Sequence, residues 1–239
     1  MTKLESDCAN QLYRQHSWTS GVDTIRRSCD VMCMELTAAD AAEIAGVSLR
    51  TVQRALADGS LGMARVFGRQ VTTDDLAVQA WIRTTSPGRK WSMRTREAGM
   101  DLMSGGRGEA VTSSERSRLR SALRRMTVRQ IAASSWVGTW SRYRTLGDVD
   151  VQFIGPSVVD LAALGLVAGE PWLRFAEVVD LDQFEAKQPV TADPDGDLVV
   201  IERSHDNRLA RQLVDTYVLG DARESAAAAN ELAAVAHAL

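Results

Sequence analysis

The stretch AADAAEIAGVSLRTVQRALADGSL, residues 38–61, decides how the rest of the chain is read. Thr37, with Asp40 one turn on, is a short relative of the capping box that opens a helix. Ala41, Ala42, Ile44 and Ala45 then offer a small apolar face suited to close helix packing. Gly46 ends that helix, Val47 is expected to enter the core, and the Ser48 hydroxyl caps the next helix. In the second helix Val52, Ala55 and Leu56 fall on one side, leaving Arg50, Gln53, Arg54 and Asp58 outside. A helix-turn-helix needs a small residue at the helix contact, a residue free to turn, and an apolar plug beneath. Ala42, Gly46 and Val47, with Val52 under the second helix, supply these. An ordinary helical hairpin fits the same spacing, yet it does not explain why Arg50, Thr51, Gln53 and Arg54 crowd one exposed face. The pattern therefore predicts DNA reading. Arg bonds guanine O6 and N7 in bidentate fashion, and Gln does the same for adenine. Ser48 and Thr51, at the helix start, are placed to hold phosphate.

Beyond Gly59, MARVFGRQVTT alternates apolar and polar residues about Phe67-Gly68-Arg69 and reads as a hairpin, or wing. Thr73, Asp74 and Asp75 start another helix, DDLAVQAWI, whose Leu76, Ala80 and Trp81 point inward. Residues 36–82 resemble the excisionase and MerR-like winged helix-turn-helix family, through LTAADAAEIAGVSLRTVQRALADGSL followed by the basic wing ARVFGRQV. That resemblance implies that the second helix enters the major groove while the wing lies along the neighbouring one. Arg50, Gln53 and Arg54 would then reach base edges or phosphates, and Arg65 and Arg69 the backbone near the wing. Ala38-Ala39-Asp40 departs from the family pattern, where a lysine or valine is common, at positions away from the reading face.

A chain of 239 residues, 45% of them apolar, is large enough for one or two cores. Its longest apolar run, VVDLAALGLVAG, is broken by Asp160 and is too short to span a membrane, so a soluble protein is expected. The first residues carry acids and no apolar block, unlike a secretory signal, which points to a cytoplasmic setting. The three cysteines, Cys8, Cys29 and Cys33, form an odd set that fits reduced thiols. With His16 they fall one ligand short of a zinc site, so no metal and no cofactor is expected. Residues 1–34 show no sustained period and read as a poorly ordered extension, with a start at Met32 or Met34 conceivable.

The overall charge of −3 hides an uneven distribution. Residues 1–34 hold 4 basic and 4 acidic groups, residues 35–148 hold 18 and 11 (net +7), and residues 149–239 hold 6 and 16 (net −10). A basic middle and an acidic end suggest two different partners, the alternative being two solvated faces.

The fold class expected is α+β, in four parts: the extension 1–34, a winged helix-turn-helix domain at 35–83, a linker with basic helices at 84–139, and a small acidic α/β domain at 140–239. RTTSPGRK is the linker, WSMRTREAGMDLM a helix capped by Ser92, and SGGRGEA a flexible loop. A long helix is expected from Ser114 to about Ser134, with Leu119, Leu123, Met126 and Ile131 as its apolar stripe. Arg116, Arg118, Arg120, Arg124, Arg125 and Arg129 fill much of the remainder, either to touch phosphate or to pair with the acidic domain. Downstream, WSRYRT, VDVQFIG, WLRFAEVV and GDLVVIER read as strands. SVVDLAALGLV, DLDQFEAK, NRLARQLVDTYVLG and DARESAAAANELAAVAHAL read as helices, Asp221 capping the last.

Residues 91–239 also resemble actinobacterial helix-turn-helix regulators of AbiEi-type antitoxin character, through RKWSMRTREAGMDLMSGG, SSERSRLRSALRRM, RYRTLGDVDVQFIGPS and ARQLVDTYVLGDARESAAAANEL. This implies an autorepressing transcriptional regulator that neutralises a nucleotidyltransferase-type toxin through its acidic C-terminal domain, a role charge complementarity would suit. Binding to a palindromic site would imply a homodimer. Two alternatives belong to other classes: an excisionase-like architectural DNA-binding protein, and a metal-dependent nuclease built on Asp195, Asp197 and Glu202. The nuclease pattern lacks its lysine, since Arg203 and Ser204 follow Glu202, and no enzyme is expected. SGGRGEA lacks the strand before it and the Gly-Lys-Ser/Thr after it that a phosphate loop requires. His205 beside Asp206 reads as a turn rather than a catalytic base, and Trp91, Trp136, Trp140 and Trp172 as core rather than base-stacking groups.

Overall fold

Local capping chemistry sets most of the helix starts. The computed structural model describes residues 35–62, 64–67, 70–85, 88–166, 173–204, 206 and 208–239. Strand β1 (Glu35–Thr37) leads into α1 (Ala38–Ala45), where Thr37 and Asp40 form a reciprocal capping box: the Thr37 N–H donates to Asp40 Oδ2 at 2.9 Å and the Asp40 N–H to Thr37 Oγ1 at 3.2 Å. Gly46, at φ +64°, closes α1 in a Schellman arrangement, with the Val47 N–H on the Ala42 carbonyl at 3.1 Å and the Gly46 N–H on that of Glu43 at 3.2 Å. Ser48 caps α2 (Leu49–Ala57), and a hairpin of β2 (Arg65–Phe67) and β3 (Gln70–Asp74) follows. Phe67 pairs with Gln70 in antiparallel register, and β1 adds to the far edge of β3. Asp74 caps α3 (Asp75–Thr84) by accepting the Ala77 N–H at 2.7 Å.

A small core holds this first part together. Leu36, Ala41, Ala42, Val52, Ala55, Leu61, Ala77, Val78 and Trp81 make one apolar cluster. Ile44 and Val47, expected inward, are instead 44% and 38% exposed. Helix α1 runs for only eight residues and meets the core through the small side chains of Ala41 and Ala42, which leaves Ile44 on its outer side, while Val47 lies beyond the Gly46 turn.

The following helices are α4 (Met93–Met103), α5 (Ser113–Leu123) and α6 (Val128–Ser135). The single long helix expected from Ser114 is thus two. Thr127 opens α6 with its own capping box, its N–H donating to Gln130 Oε1 at 2.8 Å, and a cap cannot sit inside a continuing helix. Nor is SGGRGEA a loose loop. It folds over Asp101, which receives the Gly108 N–H on Oδ2 at 2.6 Å and the Gly106 N–H on its carbonyl at 2.8 Å.

The last part is a five-stranded mixed sheet of order β5-β6-β8-β4-β7. Its strands are β4 (Thr139–Thr145), β5 (Gln152–Phe153), β6 (Arg174–Val178), β7 (Val190–Ala192) and β8 (Leu198–Glu202), with β6 and β8 parallel. Helix α7 (Leu181–Lys187) covers one face, and α8 (Leu209–Leu219) and α9 (Ala222–His237) pack with α4 to α6 on the other. Buried on both faces, β8 is apolar throughout its buried length: Leu198 and Val200 join Tyr143 and Phe184, while Val199 and Ile201 join the larger cluster. The helix expected over SVVDLAALGLV is replaced by a 3₁₀ turn at Gly155–Ser157 and a single turn in which Asp160 Oδ1 accepts the Ala162 and Ala163 N–H groups. Gly165, at φ +73°, ends it.

The boundary expected near residue 140 is not a break in packing. One apolar cluster runs from Ala98, Met100 and Leu102 through Leu123, Ile131 and Trp136 to Phe175, Ile201, Leu213 and Leu232. The basic helices are part of the α/β body, not a spacer. The helix-turn-helix candidate is joined to that body as well. Trp140 packs against both clusters and meets Trp136 edge-on at 6.2 Å, Arg83 donates to the Val218 and Gly220 carbonyls, and Arg129 Nε donates to the Thr85 carbonyl at 2.8 Å. Buried Asp74 lies 3.9 Å from Arg142 of β4, and desolvation lifts its carboxyl above the usual range despite the Ala77 N–H and that guanidinium.

Candidate nucleic-acid interface

Helix α2 has two unlike faces. Val52 and Ala55 are buried, whereas Arg50, Thr51, Gln53 and Arg54 are all exposed. Among the described residues, no hydrogen bond or ion pair occupies the side chains of Arg50, Gln53 or Arg54. The Ser48 hydroxyl caps the helix by accepting the Thr51 N–H at 3.3 Å and shares a 2.8 Å hydrogen bond with the Thr51 hydroxyl. Both hydroxyls are exposed at the helix start, where the first N–H groups lack partners within the helix. One carboxylate stands near this face. Hydrogen bonds from Ser60 hold Asp58 below its ordinary range, aided by the Arg54 charge one turn back.

The wing residues fare differently. Arg65, expected on the phosphate backbone, is only 14% exposed and bonds Glu35 at 2.7 Å, the Pro194 carbonyl at 2.7 Å and Asp195 at 3.5 Å. It therefore fastens the hairpin to the C-terminal sheet. Arg69 lies outside the described residues, as do Cys8, Cys29, Cys33, His16, the whole 1–34 extension, Trp172 and His205.

The two-sided charge distribution is partly spent within the fold. Arg144 bonds Asp193 at 2.6 Å, Arg142 donates to the Gly196 carbonyl at 2.7 Å, and Arg65 meets Asp195, so cations of the basic middle neutralise the turn before β8. Inside the acidic end, Arg203 bridges Glu177 and Asp215, and Arg208 holds Asp206. Among the described residues, the arginines on α5 and its end, Arg116, Arg118, Arg120, Arg124 and Arg125, form no side-chain hydrogen bond or ion pair, like Arg50 and Arg54.

The three carboxylates weighed for a nuclease are held apart in separate bonds. Asp195 faces Arg65, Glu202 accepts the Leu181 N–H at 3.5 Å, and Asp197 accepts the Thr145 N–H and hydroxyl and Arg174 Nη2 at 2.7–2.8 Å. Among the described residues no group of three or more His, Cys, Asp or Glu is arranged to hold a metal ion. Burial alone would raise the Asp197 carboxyl, but the Thr145 and Arg174 hydrogen bonds outweigh it and bring it to about 2. A carboxyl depressed on folding contributes stability above its ordinary value of 3.8, and loses it as the pH falls through about 2. Thermal melts of Asp197→Asn should therefore lie below wild type at neutral pH, the gap closing between pH 4 and 2. With 37% of the Asp197 side chain exposed, the difference at neutral pH is held to about 1 kcal/mol.

Sequence reasoning missed the Arg203–Glu177–Asp215 cluster. Its mark was Glu177 in the otherwise apolar run FAEVV, since a lone acid in a buried strand calls for a partner. Trp91 and Trp140 border the large core and Trp136 lies within it. No described helix is long and apolar enough to cross a membrane.

No family model, curated protein or solved structure matches this chain.

Proposed function

We propose that the chain is a sequence-specific DNA-binding protein in which α1 and α2 form a helix-turn-helix and α2 reads base edges in the major groove. The observation that carries this reading is the exposed, ion-pair-free set Arg50, Gln53 and Arg54, on a helix whose opposite face is buried through Val52 and Ala55. The likeness of residues 36–82 to excisionase and MerR-like proteins supports it, as does the β2–β3 hairpin in the place of a wing. Because Arg65 is committed to Glu35 and Asp195, phosphate contacts fall to Ser48, Thr51 and the first N–H groups of α2.

A transcriptional regulator is the role this supports best. The finer proposal of an autorepressor that counters a nucleotidyltransferase-type toxin rests on the likeness of residues 91–239 to antitoxin regulators and on the acids there that stay exposed, such as Asp150, Asp182 and Glu231. The architectural reading is less apt, because a fused α/β body larger than the reading unit has no part in bending DNA.

The test is selection of duplexes from a random library with the full chain. One recurring sequence is expected. Arg50→Ala or Arg54→Ala should weaken binding to it by about 5- to 150-fold, the equivalent of roughly 1–3 kcal/mol per bidentate base contact, with the melting temperature unchanged. Enrichment of no motif, or equal affinity of both variants and wild type, would overturn the proposal.

A further inference from the structure

Helix α5 carries a second surface with no part in the base-reading role proposed for α2. A groove of about 490 Å³ beside α5 is lined by Ser113, Arg116, Ser117, Arg120, Ser121 and Arg124, with Leu239 at its rim. The six α5-side residues fall at two interleaved i, i+4, i+8 series, so three guanidinium groups and three hydroxyls share one face of the helix. No Asp or Glu side chain lines the groove. Among the described residues none of the three arginines has an ion pair or hydrogen bond, and the Nε of Arg116 is covered and without an acceptor.

The geometry points to this groove as a binding site for the phosphate backbone of duplex DNA. Guanidinium forks and hydroxyl donors with no Asp or Glu side chain among them are the chemistry that backbone phosphates accept. The three arginines recur every roughly 6 Å along the helix and span about 12 Å, a length that covers three to four phosphates of one strand at their ~3.4 Å axial rise. Such contacts carry no sequence information; they add affinity that falls steeply with salt. The Ser113, Ser117 and Ser121 hydroxyls leave the groove free of bulk, so a strand can approach the helix closely.

Anisotropy titrations of the full chain with a labelled duplex of arbitrary sequence, from 50 to 300 mM salt, test this. For the Arg116→Ala/Arg120→Ala/Arg124→Ala variant, the slope of log affinity against log salt is expected to shrink by about 2–3, at roughly 0.9 for each phosphate left without its arginine. Ser117→Glu/Ser121→Glu keeps the arginines and places acids at exposed positions, and it should weaken duplex binding at least tenfold. Unchanged slopes in both variants would overturn the inference. So would tight binding of inorganic tripolyphosphate that the triple variant abolishes while duplex binding stays intact, since the groove would then serve a small ligand. The two claims separate cleanly: the α5 variants should still select the same DNA motif as wild type, whereas Arg50→Ala or Arg54→Ala should select a motif relaxed at one position and keep the contribution of α5 to the salt slope.

Discussion

Arg203→Met is expected to destabilise the fold by about 3–5 kcal/mol, the largest effect of any single side chain described above. Arg203 Nε bonds Glu177 Oε2 at 2.7 Å, and its two Nη atoms grip both oxygens of Asp215. Both acids are fully buried, and Arg203 is 8% exposed. Arg211 stands 3.6 Å from Asp215, so the quartet is close to neutral overall. Burial alone would make Arg203 easier to deprotonate, but Asp215 and Glu177 overcome this and keep it firmly charged. Removing it leaves two carboxylates out of water with one cation between them, and the penalty is their desolvation more than the lost attraction. Urea unfolding measures it. Adding Glu177→Gln and Asp215→Asn to Arg203→Met should recover part of the loss, because the stranded charges disappear with the partner. A loss under about 1 kcal/mol for Arg203→Met alone would mean that the cluster is far wetter than its burial indicates.

Gly196→Ala should cost about 3 kcal/mol or more, at the upper end of what overpacking does. A Cβ at Gly196 would land on the Tyr143 carbonyl and crowd the Arg144 nitrogen, both of them backbone of β4. Backbone inside a paired strand cannot step aside as a side-chain tip can. The same residue lends its carbonyl to Arg142 and its N–H to the Asp193 carbonyl, so the turn would have to leave β4 and release the arginine that faces Asp74. Thermal melts read the loss directly, and a variant that melts with wild type would show that the turn has slack. Because this turn also receives Arg65, its displacement should loosen the β2–β3 hairpin.

What could be read from the sequence was what neighbouring residues decide. Thr37 with Asp40, Ser48, Ser92 and Asp221 with Glu224 each cap the helix expected of them, since a cap needs only groups within one turn. The apolar strands β6 and β8 were visible for a similar reason, as both their faces are buried. The break at Thr127 was equally local, carried by a Thr-x-x-Gln box, but a run of arginines with a helical apolar stripe across it concealed the stop. Other outcomes depended on distant partners. Nothing near Arg65 announces Asp195, 130 positions away, so a wing arginine looked free when it was not. Merging of the basic helices with the acidic sheet into one core likewise depends on how α8 and α9 cover Ile131 and Leu123, which periodicity cannot foresee. At the candidate interface itself, exposure of Arg50, Gln53 and Arg54 followed from helical spacing alone, whereas the outward positions of Ile44 and Val47 did not.

Methylation interference on a selected duplex tests the central claim most directly, because guanine N7 is the atom an Arg fork engages. Wild type is expected to be blocked by N7 methylation at one or two guanines, with interference at one of them disappearing in Arg50→Ala or Arg54→Ala as overall affinity falls. An interference pattern identical in wild type and both variants would contradict the assignment of α2 as the element that reads DNA.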